Sequence, residues 1–247
     1  MGLNEVLETL PQTNKNVVVV LSGGLDSTIM MRVAVERYGA EQIRAISFDY
    51  GQRQNIELER AAESCEYLGV KHTILPLDSL NAIAMGHSAN VDRSIKMPTI
   101  EDVLGDPSPD TEVPFRNMIL LALASSYAQC NDADVVLTGL QSNDTYNYWD
   151  TTDTFVSKMN SVLSENRITK IRIVAPFIKL NKTAEIAILG EIGDLPLLAH
   201  TITCYNPDDN GFSCGICPSC AERLKAFENL GLEDPVYYNT CGDVCVL

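Results

Sequence analysis

Basic residues are scarce in this chain: 18 Lys and Arg stand against 33 Asp and Glu among 247 residues, a formal net charge of −15. Affinity for nucleic acid comes largely from Lys and Arg on phosphates, so this balance argues against a polyanionic partner and for a small-molecule substrate. Long apolar runs are missing too. None approaches the roughly 20 residues that cross a bilayer, and the opening Met1-Gly2-Leu3-Asn4-Glu5 lacks the basic start of a signal peptide, so no membrane association is expected. Cys245-Val246-Leu247 falls one residue short of a prenylation box, and the expected location is cytosolic. Internal repeats and low-complexity tails are absent. So are two common phosphate-binding signatures, the Gly-x-x-x-x-Gly-Lys-Ser/Thr Walker loop and the three spaced glycines of a dinucleotide site.

What is present is a globular chain with 45% apolar residues, enough for one large domain or a domain with an appendage. Val17 to Leu21 is an apolar run that reads as a buried parallel strand. The Ser22-Gly23-Gly24 turn follows, and from Ser27 the spacing of Ile29, Met30, Val33 and Val35 predicts a helix. A strand that turns through glycines into a helix offers unpaired N–H groups to an anion at the positive end of the helix dipole. With no Walker lysine, Ser-Gly-Gly-x-Asp-Ser resembles the pyrophosphatase loop of enzymes that cleave ATP between the α and β phosphates. Its glycines admit the phosphates, Ser22 and Ser27 add hydroxyl donors, and Asp26 is read either as a helix cap or as a Mg²⁺ ligand. An ordinary capped strand-to-helix turn is the plainer alternative.

Strand and helix patterns alternate onward. Ile43 to Tyr50 reads as a strand, Glu57 to Leu68 as a helix ending at Gly69, and His72 to Leu77 as a strand. Asn117 to Gln129 reads as a helix and Ala133 to Leu137 as a strand ending at Gly139. Asp153 to Leu163 reads as an amphipathic helix, Ile171 to Pro176 as a fifth strand and Thr183 to Leu189 as a helix. This order predicts an α/β fold, a doubly wound parallel sheet with its ligands at the carboxyl ends of the strands. Gly23, Asp49-Tyr50-Gly51 and Gly139 then share one rim. Residues 81–112, with Pro98, Pro107 and Pro109, read as a lid or binding loop.

Of the 8 cysteines, four are organised as Cys204 followed by Cys214-Gly-Ile-Cys217-Pro-Ser-Cys220. That spacing matches a knuckle wrapping one metal, with Gly215 supplying the tight turn, and in a reducing compartment a metal site is expected before a disulfide. Zinc held by four thiolates has no open position and would be structural. An iron–sulfur cluster is the competitor, disfavoured because the fourth ligand lies upstream and no closing Cys-Pro follows at the expected spacing. Cys65 and Cys130 fall in helical patterns and are expected in the core. Cys241 and Cys245 have no assigned role. The expected domains are 1–200, binding nucleotide, and 201–247, a metal-binding segment packed on it.

Together these motifs resemble the 7-cyano-7-deazaguanine synthase family, ATP-dependent ligases of deazapurine (queuosine precursor) biosynthesis. The resemblance is carried by Ser22–Ser27, Phe48-Asp-Tyr-Gly-Gln52, Val113-Pro-Phe-Arg-Asn117, Thr203-Cys-Tyr205, the knuckle with Arg223, and Asp234-Pro-Val-Tyr237. It implies an adenine-nucleotide α-hydrolase-like fold with a C-terminal zinc-knuckle helical segment. It also implies a reaction in which 7-carboxy-7-deazaguanine, ammonia and ATP give the nitrile through an adenylated acid and an adenylated amide. ATP, Mg²⁺ and a structural zinc are the implied cofactors, and a homodimer the implied assembly.

On this reading Asp26, Ser27, Arg116 and Lys182 carry catalysis, the last two neutralising departing pyrophosphate. Leu21, Ser22, Gly23, Gly24, Leu25, Asp26, Ser27, Thr28, Asp49 and Gly139 hold the nucleotide. Tyr50, Gln52, Asn117 and Asp144 meet the base, and Cys204, Cys214, Cys217 and Cys220 hold the metal. The plainer readings are a solvated Lys182, an Arg116 paired on the surface with Glu112, and a Tyr50 that only packs.

One stretch departs from the family. Where it has an Asp and then Tyr-Pro-Asp-Cys-Arg, residues 143–153 read Asn-Asp-Thr-Tyr-Asn-Tyr-Trp-Asp-Thr-Thr-Asp, with threonines in place of the Cys and Arg. This leaves open a member that stops at the amide or serves DNA modification or defence. A transfer-RNA sulfur or amide transferase would need a more basic surface and a catalytic cysteine pair. A non-catalytic ATP-binding module is the alternative from another class.

Overall fold

A computed structural model describes residues 1–96, 110–142, 148–208 and 210–239. Among them, five parallel strands form one sheet in the order β3-β2-β1-β4-β5. The strands are β1 (Asn16–Val20), β2 (Ile43–Asp49), β3 (Lys71–Pro76), β4 (Ala133–Thr138) and β5 (Arg172–Val174). β1 lies at the centre because its valines must be buried on both faces. Val17 and Val19 enter one core with Ile29, Met30, Ile186 and Phe227, while Val18 enters the other with Ile46, Leu121 and Ile173. This is the period of two that a buried strand imposes.

The helices are α1 (Leu3–Thr9), α2 (Leu25–Tyr38), α3 (Ile56–Leu68), α4 (Asp78–Ala84), α5 (Arg116–Cys130), α6 (Asp153–Ser164), α7 (Lys182–Ile192) and α8 (Pro218–Leu230). The chain leaves β1 to build β2 on one side and later returns to place β4 on the other. That reversal opens a crevice at the carboxyl ends of β1 and β4, where open α/β sheets bind ligands.

The expected fold stands, with local corrections. β5 ends at Val174 because Pro176 has no N–H for the ladder. α1 had no expectation; it buries Val6 against the first core. Part of the stretch read as a loop is helical: α4 runs through Ala84. Pro98, Pro107 and Pro109 lie outside the described residues. Cys130 is exposed, not core, because it ends α5 on the solvent side, whereas Cys65 is buried as expected and burial pushes its thiol up to about 12.

The segment after residue 200 packs into the same core through Ala226 and Phe227 of α8. Its lock is Arg223, 1% exposed. The guanidinium donates to both Asp234 oxygens at 2.7 and 2.9 Å, to Thr201 Oγ1 at 2.8 Å and to the Leu198 carbonyl at 3.2 Å. A buried charge is tolerated only with such complete pairing.

Candidate active site

The turn after β1 is fixed by close approach. Gly23 adopts φ +88°, and a Cβ there would lie 1.9 Å from the Glu57 carbonyl oxygen, so both conformation and space demand glycine. At the end of β4, a Cβ on Gly139 would come within 3.2 Å of Ser27 N and Cα, which presses that strand end onto the first turn of α2. Ser22 and Ser27 preform the loop: their hydroxyls lie 3.0 Å apart, Ser22 N donates to Ser27 Oγ at 3.1 Å, and Gly24 N donates to Ser22 Oγ at 3.2 Å. Gly24 is the N-cap of α2 and no side chain caps that end, which settles one alternative for Asp26. The first-turn N–H groups are thus left for an anion.

The loop opens into a cavity of about 350 Å³. It brings together Leu21, Ser22, Gly24, Asp26, Ser27 and Gly139 with Tyr50, Gln52, Arg116, Asn117 and Lys182. Leu25 and Thr28 are fully buried behind the loop and do not line the cavity. Asp49 is also absent from the lining; its Oδ1 accepts from Gly51 N at 3.0 Å and shapes the β2 turn. Asp144 lies outside the described residues.

Arg116 opens α5 behind Phe115, which holds φ +56°. Its Nη1 donates to the Tyr50 hydroxyl at 3.4 Å, and Tyr50, with Asp150 and Glu57, reinforces the positive charge. Arg116 therefore belongs to the cavity and has Tyr50, not only surface residues, beside it. Gln52 secures the β2 turn, accepting from Tyr50 N at 3.0 Å and donating to the Phe48 carbonyl at 3.1 Å. Asn117 N donates to Asp150 Oδ2 at 3.3 Å.

Lys182 opens α7 behind Asn181, whose side chain caps the helix through Ala184 N at 3.0 Å. The lysine is 11% exposed, which removes the solvated reading; its Nζ stands 3.6 Å from Asp26 Oδ2 and 3.3 Å from Glu222 Oε2. One turn further, Glu185 is fully buried and accepts from the Gln141 amide, which also reaches Asp26 Oδ1 at 3.4 Å. Burial, and then the nearby Asp26, push the Glu185 carboxyl well above its ordinary range.

Glu185, Gln141, Glu57, Asp150 and Tyr205 were not expected from the sequence. Only Glu185 had a legible signal, the three-residue step from Lys182 that puts both on one helix face.

The four expected cysteines converge: the Sγ atoms of Cys204, Cys214, Cys217 and Cys220 all lie within 4.8 Å of one another. Gly215 takes φ +75°, as the tight turn requires. Cys214 N and Asn206 N donate to Cys204 Sγ at 3.2 and 3.3 Å, and Tyr205 N to Cys217 Sγ at 3.5 Å, contacts that favour thiolates. The centre adjoins the cavity, since Thr203, Tyr205 and Ser219 line it. Ile202 N donates to the Gly23 carbonyl at 3.1 Å, and Gln54 to the Tyr205 carbonyl at 3.1 Å, tying the centre to the phosphate loop and to α3's approach.

A five-stranded parallel sheet with a cavity at its switch point and a four-thiol centre beside it is an α/β fold of the adenine-nucleotide α-hydrolase-like type. Within that class, the chain belongs to the family described as queuosine biosynthesis protein QueC, which it matches over residues 16–231. It is 40% identical to a 7-cyano-7-deazaguanine synthase of Alteromonas mediterranea, over 91% of this chain and 99% of that one. It is 34% identical to one of Chromobacterium violaceum, over 91% and 94% of the two chains. Among solved structures, the U34-tRNA thiolase NcsA of Methanococcus maripaludis, with its [4Fe-4S] cluster, shares the fold at TM-score 0.50 and 14% identity, covering 92% of this chain and 70% of that one. The family places the chain among enzymes of queuosine biosynthesis.

Proposed function

We propose that the chain is an ATP-dependent carbon–nitrogen ligase that converts 7-carboxy-7-deazaguanine and ammonia to the 7-cyano product, releasing AMP and pyrophosphate. The observation that carries this reading is the convergence of the Ser22–Ser27 loop, Arg116 and Lys182 on one cavity. A carboxylate oxygen attacks the α-phosphorus, pyrophosphate leaves, ammonia displaces AMP, and the amide oxygen is adenylated in turn so that its loss yields the nitrile. The loop holds the phosphates still, and the two cations offset charge as pyrophosphate departs. Tyr50, Gln52 and Asn117 are our candidates for the wall that meets the deazapurine.

Asp26, a carboxylate in the lining beside the phosphate loop, suits a magnesium ion, which would neutralise phosphate charge when bound with the nucleotide. The four-sulfur set suits zinc. A single ion bonded to four sulfurs needs them nearly in mutual contact, as they are within 4.8 Å, whereas a four-iron cluster would hold them further apart. We read residues 201–247 as a metal-stapled segment packed on 1–200. A colourless protein with one zinc per chain supports this, and a brown protein overturns it.

One observation favours a second product. The threonines in place of the family's Cys and Arg serve local structure: Thr151 Oγ1 donates to the Tyr148 carbonyl at 2.8 Å, and Thr152 Oγ1 caps α6 through Phe155 N at 3.1 Å. The amide is therefore our second reading of the product. Mass spectrometry of products from the carboxylate, ATP, Mg²⁺ and ammonium separates nitrile from amide. ATP binding without substrate-dependent AMP release would overturn the ligase reading.

A further inference from the structure

We propose that Glu57 is the proton acceptor for the nitrogen nucleophile, the group that converts ammonium to ammonia beside the activated carboxylate. This rests on the adenylating reading above. At neutral pH ammonia is mostly ammonium, which has no lone pair to attack with, so a ligase using it gains from a base held in the site.

The described lining offers the carboxylates of Asp26, Glu57, Glu112, Asp150 and Glu222. Asp26 and Glu222 face Lys182 Nζ at 3.6 and 3.3 Å, Asp150 accepts from Asn117 N at 3.3 Å, and Glu112 has a partner of its own. The Glu57 carboxylate differs: no hydrogen bond engages it among the described residues. Arg116, from α5, is the charged group that acts on it, and the hydroxyl of Tyr50, the residue after β2, stands on that same guanidinium. On its own helix, Arg60 is turned to Glu63 at 2.7 Å. Gly23, the loop residue pressed against its backbone, carries no charge, the loop's Asp26 faces Lys182, and Tyr205 is the titratable neighbour from the cysteine segment that shares the lining.

Its position is fixed by backbone. The Glu57 carbonyl is the group that forbids a side chain on Gly23, so the first turn of α3 is pressed against the loop, and Glu57 lines the cavity into which the loop opens. Burial pushes that carboxyl up to about 7 against the lowering effect of Arg116, a value suited to a base at neutral pH. One ammonium proton passes to a Glu57 oxygen. The freed pair forms the C–N bond, the C–O bond to the phosphoryl group breaks with its electrons leaving on AMP, and a second proton leaves the new amide nitrogen to water.

Glu57→Gln tests this. In wild type, carboxylate-dependent exchange of labelled pyrophosphate into ATP, measured without ammonium, reads adenylation alone. The variant should keep that exchange and lose about 10²- to 10⁴-fold of ammonium-dependent amide formation. In wild type the ammonium rate should level off above about pH 7, whereas in the variant it should go on rising with pH as free ammonia increases. Hydroxylamine, unprotonated at neutral pH, should still give hydroxamate at close to the wild-type rate. An unchanged ammonium rate overturns the proposal, and so does joint loss of exchange and hydroxamate, which marks a structural or adenylating role. Absence of exchange in wild type overturns the adenylating reading itself.

Discussion

The phosphate loop and the charged lining share one cavity and are held by opposite means. The loop owes its shape to missing side chains, Gly23 against the Glu57 carbonyl and Gly139 against Ser27, with serine hydroxyls closing the turn. The lining owes its character to charges kept partly from water, Arg116 on Tyr50 and Lys182 between Asp26 and Glu222, while Glu185, buried on Gln141, stands outside it. A steric shell fails by unfolding or distortion. A charged lining fails chemically while the fold persists, and it lowers stability even when intact, because burying carboxyls opposes folding.

Four changes press on that contrast. The largest effect is expected from Gly23→Ala, where a left-handed residue must also move the α3 backbone. About 3 kcal/mol or more should be lost in urea unfolding, and nucleotide binding should fall with it. Lys182→Met should cost less stability than Gly23→Ala, about 1–2 kcal/mol, since the two carboxylates it would leave behind, Asp26 and Glu222, keep 26% and 38% exposure. The same variant should slow AMP release about 10²- to 10³-fold, by analogy with removal of other charge-stabilising groups. Equal losses of stability and rate would erase the distinction drawn here.

A third change concerns pH. The folded chain holds the Glu57 proton up to about 7, whereas the unfolded chain releases it near 4.5. Between these values the unfolded state binds fewer protons, so stability falls as pH rises. The decline should be about 2 kcal/mol, allowing for partial exposure of the group. Glu57→Gln should lack this decline and be the more stable protein above pH 7, measured by thermal unfolding across that window. The smallest effect is Thr152→Ala, which removes the α6 cap for about 1 kcal/mol and should leave the ratio of nitrile to amide unchanged. A changed ratio would return that threonine to the chemistry.

The sequence disclosed what repeats or clusters along the chain. The valine run, the Ser-Gly-Gly-Leu-Asp-Ser turn and the cysteine spacing are local patterns, and each is borne out as a strand, an uncapped helix start and a converged thiol set. Lys182 was singled out by its motif, but its reach to Asp26 depends on how α7 packs against α2. Glu57 and Gln141 gave no signal, because an ordinary Glu in a helix's first turn looks like favourable dipole placement until the loop beside it is seen. Cys130 went the other way: a helical pattern alone does not say which side of α5's last turn faces the core.

One backbone hydrogen bond, from Ile202 N to the Gly23 carbonyl, joins the glycine turn after β1 to the stretch that leads into the four cysteines. During synthesis the Ser22–Ser27 loop leaves the ribosome well before Ile202 and the cysteines that follow it. The nascent chain therefore carries that loop without its backbone partner until Ile202 has emerged. On the ligase reading proposed above, a chain cut short before Ile202 lacks a finished loop and consumes no ATP.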